Sequence, residues 1–281
     1  MSAPSRPQRW LHCAGPAGDH GHHSASAMTG LPSRGDALLT FEALAEGQLI
    51  RRYKRFLADV ELSDGQVVTA HCANTGPMTG VLIPGQRVRV RHAPSPKRKL
   101  AWTWEQAEVT GADGSPCWVG INTALPNRLI RATIEAGCLA EELGTIESIR
   151  AEVAYGKNRR SRIDLLLTPA VDNPDQRPIY VEVKNTTWTD GTLALFPDTV
   201  TERGQKHLVE LMDLLPEARA VLVPCLSRAD VTSFAPGDAA DPRYGDLFRQ
   251  ALDRGVDVLP CCFRFESNQI RWEGLRRLKP V

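Results

Sequence analysis

The sequence predicts two folded domains in succession: an OB-like β-barrel over residues 37–122 and an α/β domain with a mixed central sheet over residues 123–281, behind a disordered extension, residues 1–36. Three observations carry this. Short strand-like runs follow one another from Phe41 to Val119, punctuated by Asp64-Gly65, Pro84-Gly85 and Asp113-Gly114 at the spacing of a small barrel. Helical and strand periods alternate from Asn127 onward. At 281 residues and 42% hydrophobic content, the chain can bury two cores.

Residues 1–36 are rich in Pro, Gly, Ser, Ala and His without either period, the composition of a segment that cannot bury enough apolar surface to order itself. His12, His20, His22 and His23 offer a metal-binding tail as the alternative, and Met28 is an alternative start. The barrel strands are expected at Leu49–Leu62, Val67–Cys72, Gln86–His92, Leu100–Thr110 and Cys117–Asn122. The intervening His71-Cys72-Ala73-Asn74-Thr75-Gly76 reads as a turn or as a loop that approaches a phosphate. In the second domain Leu129, Ile130, Ile134, Cys138 and Leu139 fall at helical spacing over Asn127–Leu143, with Asn127 at the N-cap and Gly137 as a weak point. A strand over Ile146–Ala154 leads through the basic loop Gly156-Lys157-Asn158-Arg159-Arg160 into a hairpin, Arg162–Thr168 and Pro178–Lys184. A loop over Thr186–Thr199, a helix over Val200–Leu215, a buried strand over Ala220–Leu226, a helix over Asp246–Arg254 and a strand over Val256–Phe265 complete the expected order.

A net charge of +1 gives no overall basic footprint, so a nucleic-acid site must come from local clustering. Over residues 44–120 ten basic residues face seven acidic ones. They gather as Arg51-Arg52-Tyr53-Lys54-Arg55-Phe56, alternate as Arg87, Arg89 and Arg91, and recur as Lys97-Arg98-Lys99 before Trp102 and Trp104. Cations with interleaved aromatics on a barrel suit a phosphate backbone and stacked bases, whereas a solvated face with core tryptophans is the plainer alternative. The candidate nucleic-acid contacts are Arg51, Arg52, Lys54, Arg55, Phe56, Asn74, Thr75, Lys97, Arg98 and Lys99 on the barrel. Arg160, Arg162, Arg203, Lys206 and His207 are their counterparts beyond it. Seven dispersed cysteines without zinc spacing read as reduced thiols. No run approaches 18 apolar residues, and the expected location is a bacterial cytoplasm, with nucleoid association in keeping with a DNA partner. No helix-turn-helix is evident, which argues against sequence-specific groove reading. An enzyme acting on phosphorylated sugars lacks the Walker or Rossmann glycines that would support it.

The chemistry concentrates in the hairpin. Val181 and Val183 point to one face of the second strand, and Glu182 and Lys184 share the other. If the strands pair, Asp164 falls beside Glu182. Two adjacent carboxylates repel unless a divalent cation lies between them, and Mg2+ or Mn2+ suits oxygen donors. Asp164 and Glu182 are the candidate metal ligands, Glu152 a third, and Asp164, Glu182 and Lys184 the candidate catalytic residues of a phosphodiester hydrolase. Solvated charges on a sheet face are the alternative.

The order helix, strand, strand, strand, helix, strand resembles the restriction-endonuclease-like core of the PD-(D/E)xK nucleases. Segments Arg52–Val60, His71–Gly76, Tyr155-Gly156 with Ser161–Asp164, Val181–Lys184, and Phe196–Asp198 with Thr201–Leu208 resemble the bacterial sugar fermentation stimulation protein A (SfsA) family over residues 44–281. That resemblance implies an N-terminal OB-like domain, a C-terminal nuclease-like domain, non-specific DNA binding and a regulatory link to sugar (maltose) metabolism. It places Asp164, Glu182 and Lys184 at the nuclease-motif positions. Ile163 stands where the wider motif has proline, and Ala73 where relatives often have proline. A catalytically inactive DNA-binding regulatory factor is the alternative the same resemblance allows.

Overall fold

The computed structural model describes residues 33–156 and 161–279. Most of the expected N-terminal extension, with its four histidines, lies outside these residues, as does Arg160 with the rest of residues 157–160.

The barrel forms from five strands: β2 (Ala45–Tyr53), β3 (Leu57–Leu62), β4 (Val67–His71), β5 (Arg87–His92) and β6 (Trp102–Thr110). They pair in the order β4-β3-β2-β5-β6, and a short parallel β4–β6 pairing closes the ring. Closure leaves no edge strand and buries one side chain in two. Leu49, Val60, Val68, Val88, Val90 and Trp104 fill the interior. The expected run Leu49–Leu62 is two strands because Lys54 and Arg55 adopt positive φ of 48° and 66° and turn the chain back on itself. β7 (Pro116–Gly120) pairs with β6 outside the ring and leads into the second domain.

The first strand, β1 (Ala37–Thr40), belongs elsewhere: although its residues fall in the range expected for the barrel, it lies at the edge of the C-terminal sheet, against β17 (Gln269–Leu275). That sheet runs β1-β17-β16-β13-β10-β9-β8, built from β8 (Ile146–Tyr155), β9 (Ser161–Pro169), β10 (Ile179–Thr186), β13 (Arg219–Leu226) and β16 (Cys261–Phe265), with β15 (Asp257–Val258) also on β13. β10, β13, β15 and β16 are parallel, and the remainder antiparallel. The single expected helix over Asn127–Leu143 is α1 (Pro126–Glu135) and α2 (Ala140–Leu143), broken where Gly137 takes φ 77°. Leu129, Ile130 and Ile134 of α1 cover one face of the sheet against Val181, Val183, Val221 and Val223.

The other face carries α3 (Glu202–Asp213) and α4 (Pro242–Arg254), whose Leu208, Leu211, Tyr244 and Phe248 pack on Ala220 and Leu222. Beside them lies a small sheet, β11 (Trp188–Asp190), β12 (Leu193–Phe196), β14 (Ser233–Pro236) and β18 (Arg277–Leu278). Its first hairpin occupies the stretch the sequence assigns to a loop. None of the helices among the described residues is long and apolar enough to cross a membrane.

Barrel and α/β domain are joined by several contacts, two of which show how closely they meet. Gln106 Nε2 donates to the Glu266 carbonyl at 2.8 Å. A Cβ on Gly120 would lie 2.2 Å from the Phe265 ring, so only glycine lets the strands meet there.

Asp241 fixes α3. Its buried carboxylate caps α4 by accepting from the Tyr244 N–H at 3.0 Å, and also accepts from the Thr201 N–H at 2.9 Å and from Gln205 Nε2 at 3.0 Å. Burial pushes the Asp241 carboxyl up, but these donors outweigh it and hold it below the usual range. A depressed folded pKa adds stability that is present above the unfolded pKa and is lost as pH falls through the folded one. Asp241→Ala is therefore expected to lower stability by about 2 kcal/mol near neutral pH. It should also flatten the acid limb of the unfolding midpoint measured by circular dichroism from pH 7 to pH 3.

Candidate active site

β10 pairs with β13 along eight residues, Ile179–Thr186, but with β9 over only Ile179–Val181. The next facing pair is Glu182 and Asp164, where the two strands part. There the Val183 N–H donates to Asp164 Oδ2 at 2.7 Å, a side-chain carboxylate standing where a strand carbonyl would otherwise accept. Asn127 Nδ2, in the first turn of α1, donates to Asp164 Oδ1 at 2.8 Å. The structure thus brings Asp164 beside Glu182, and gives Asn127 this contact in place of the expected cap, which falls to Leu125.

Glu182 is 2% exposed. Its Oε1 accepts from Lys184 Nζ at 2.7 Å, the pairing that the two-residue period of the strand makes possible, and from His207 Nδ1 of α3. Lys184 Nζ lies 3.1 Å from the same ring nitrogen. Arg203 Nε donates to His207 Nε2 at 3.4 Å, on the ring edge away from the carboxylate. His207, expected at a nucleic-acid surface, is instead buried and holds Glu182.

Burial and the neighbouring Glu182 charge push the Asp164 carboxyl above its ordinary value, against the opposing Val183 and Asn127 donors. Burial pushes Glu182 up as well, but His207 and Lys184 outweigh it and hold that carboxyl below its ordinary value. The pair is split: one carboxylate is already compensated and the other lacks a full counter-charge.

Glu182 Oε2 is buried without a hydrogen-bond partner among the described residues. Three other buried polar atoms share that condition, the hydroxyls of Tyr155 and Tyr244 and Glu210 Oε2. Both phenols are raised in pKa, first by burial and next by the charge of Glu182, so both lie in the field of the same carboxylate. A buried acceptor facing a second carboxylate with a raised pKa is a donor set that fits a hard divalent cation. Asp164 and Glu182 are the side chains that would hold it. Among the described residues no cluster of three or more His, Cys, Asp or Glu surrounds such an ion, so further ligands would be backbone carbonyl, water or phosphate oxygens. Glu152, the third candidate, is exposed with φ 54°, and among the described residues only its carbonyl has a partner, accepting from Arg162 at 3.1 Å.

The other candidates divide by what they bind. Arg51 is exposed and paired with Asp59 at 2.8 Å. Arg52 donates to the Asn74 and Gly76 carbonyls at 2.8 and 3.0 Å, and Arg55 to the Thr75 carbonyl at 2.9 Å, so two of the basic hairpin residues pin the 74–76 loop. Phe56 is 45% exposed at the hairpin tip. Arg98 Nη2 donates to Thr103 Oγ1, while the side chains of Lys54, Lys97 and Lys99 are exposed and have no partner among the described residues. The alternating arginines are not a phosphate-binding stripe: Arg87 pairs with Glu46 and Glu108, Arg89 with Glu46, and Arg91 with Glu105. Arg89 also stacks on Trp118 at 3.7 Å, and Trp104 is core. Lys206 donates to Ser161 Oγ at 2.8 Å and pairs with Glu210 at 3.3 Å. Sequence reasoning missed Asn127 as an orienter of Asp164, although its place in the first turn of a helix beside the hairpin was visible.

Family models match both halves of the chain. That of the SfsA N-terminal OB domain covers residues 50–121, and that of the sugar fermentation stimulation protein RE domain covers residues 124–269. The chain is 82% identical over 254 residues to a sugar fermentation stimulation protein homolog of Parasynechococcus marenigrum (strain WH8102), spanning 90% of this chain and 100% of that one. It is 83% identical over 242 residues to the homolog of Synechococcus sp. (strain CC9902), spanning 86% and 97%. Its structure is similar to that of Pyrococcus furiosus SfsA in complex with Ca2+, with a TM-score of 0.74 at 25% identity, covering 87% of this chain and 99% of that one.

If Asp164 and Glu182 hold a cation, Ca2+ or Mn2+ at about 100 times its dissociation constant should stabilise the folded chain by about 2.7 kcal/mol. The gain is expected as a rise of several degrees in the thermal midpoint, reversed by EDTA and absent in Asp164→Ala.

Proposed function

The chain belongs to the sugar fermentation stimulation protein family, and from that membership and the geometry above we propose that it is a DNA-binding protein, not sequence-specific, whose C-terminal domain is a divalent-cation-dependent phosphodiester hydrolase. The observation that carries the reading is the convergence of Asp164, Glu182 and Lys184 where β9 and β10 part, with a buried Glu182 oxygen left open. The solved relative in complex with Ca2+ supports a divalent ion. Mg2+ or Mn2+ would serve catalysis, since a bound cation lowers the pKa of a coordinated water and offsets charge on the phosphate.

The chain's own residues supply the remainder. Asn127 and the Val183 N–H hold both Asp164 oxygens in place. His207, oriented by Arg203, holds Glu182. Lys184, 12% exposed at its side chain, carries the positive charge that would meet the phosphoryl oxygens once its contact with Glu182 loosens. The solvated lysines Lys54, Lys97 and Lys99 lie on the barrel. His71 pairs with Leu57 on one side and Thr103 on the other, so the 54–56 turn and the 97–99 loop flank the same end of β4. A DNA-binding factor without turnover is the second reading, favoured by one observation: Lys184 and Glu182 already satisfy each other, in a closed pair. In either form a cytoplasmic, nucleoid-associated role tied to sugar utilisation is in keeping with the relatives' name.

Digestion of supercoiled and single-stranded DNA with Mg2+ or Mn2+ tests turnover. Lys184→Ala and Asp164→Ala should each lose about 100-fold or more of the cleavage rate. Equal cutting by wild type and both variants would mean a contaminant, and binding without cutting by any of them would favour the second reading. Binding itself should weaken with salt. Lys97→Ala and Lys99→Ala should each reduce the slope of log K against log salt by about 0.9, the share of one duplex phosphate that the lysine neutralises. An unchanged slope in both would remove this loop from the interface.

A further inference from the structure

We infer that the cleft between the 74–76 loop of the barrel and the β11–β12 hairpin binds a single unpaired nucleobase, which makes single-stranded or frayed DNA the preferred ligand; this deepens the DNA-binding reading above and rests on it. The cleft has a volume of about 210 Å3 and is lined by Asn74, Asn185, Trp188, Leu195, Phe196 and Asp198, among others. That lies below the roughly 300–1,000 Å3 typical of sites for drug-sized ligands and suits one planar ring system.

Its chemistry matches a base and not a phosphate. Lysine and arginine are absent from the lining, and its one charge, Asp198, is negative. Trp188 and Leu195, cross-strand neighbours in the β11–β12 hairpin, give it an apolar wall on which a ring can stack. The polar groups are oriented and have capacity to spare. Asn74 Oδ1 accepts from the Gly76 N–H at 2.9 Å and Asn185 Oδ1 from Ser227 Oγ at 2.6 Å, so each amide is held by its oxygen. Neither Nδ2 has a partner among the described residues. Asp198 Oδ2 accepts from the Thr79 N–H at 3.3 Å, and Oδ1 is free among the described residues. Two fixed donors and an acceptor beside an aromatic wall are what a base edge requires.

Placement ties the cleft to both halves of the DNA-binding reading. Asn185 follows Lys184 directly in β10. Asn74 sits in the loop pinned by Arg52 and Arg55. A strand held along the barrel would thus present a base at the end of the β-strand that carries Glu182 and Lys184.

The test is fluorescence anisotropy of the full chain with a labelled 12-nucleotide single strand, its blunt duplex, and the same strand made abasic throughout, all in Ca2+. Wild type is expected to bind the single strand about tenfold or more tighter than the abasic strand. Trp188→Ala and Asn185→Asp should lose that advantage while duplex affinity stays within twofold. Asn185→Asp keeps the oxygen that Ser227 needs, so it decides the matter if Trp188→Ala fails to fold. Equal losses on single strand and duplex, or none on either, would overturn the inference and leave DNA binding standing. Absence of wild-type binding to all three would overturn DNA binding itself, and this inference with it.

Discussion

Glu182 is a carboxylate almost sealed from water, and much of the C-terminal domain's arrangement follows from keeping it charged there. Bringing an isolated carboxylate into such a place is prohibitive unless partners compensate it. Lys184 supplies one partner from the same strand, because residues two apart share a face. His207 supplies the other from α3. The helix must therefore be held at one height over the sheet, and Asp241 does this by satisfying donors at the start of both α3 and α4. A carboxylate remote in sequence thus sets the position of the imidazole that compensates Glu182.

Asp164 is the complementary case. It lies where the β9–β10 ladder stops, and its oxygens are occupied by an N–H without a strand carbonyl opposite it and by an amide from α1. Neither donor carries a full charge, so its burial is not fully offset, and its carboxyl sits above its ordinary value beside a Glu182 held below. The asymmetry puts the deficit of positive charge between the two carboxylates, where an external cation relieves both desolvation and mutual repulsion.

The hairpin was legible because strand alternation is local: Val181 and Val183 inward and Glu182 with Lys184 opposite could be read from four letters. So could the barrel, from its turn residues, and the stripe of Leu208, Leu211 and Met212. Small strands were not: β11, β12 and β14 are three or four residues long, and partners distant in sequence, not local period, define them. The same limit explains Arg87, Arg89 and Arg91. Their spacing looks like a cationic stripe, yet Glu46, Glu105 and Glu108 reach them from strands paired on either side. Asn127 and His207 were visible as residues, but their tasks depend on how helices sit over the sheet, which no period encodes.

The cations of the barrel divide along chemical lines. Arg52 and Arg55 spend planar, multi-donor forks on backbone carbonyls, and Arg87, Arg89 and Arg91 spend theirs on carboxylates. Lys54, Lys97 and Lys99 keep mobile point charges in solvent. A polyanion whose phosphates differ in position from one sequence to another is better met by ammonium groups on flexible stems than by guanidinium groups already committed to a fixed geometry. Arg52 and Arg55 would therefore serve a DNA ligand at one remove, by giving the 74–76 loop a single shape. Under the proposed reading, the rigid part of the surface would read ring geometry while the lysines supplied attraction indifferent to sequence.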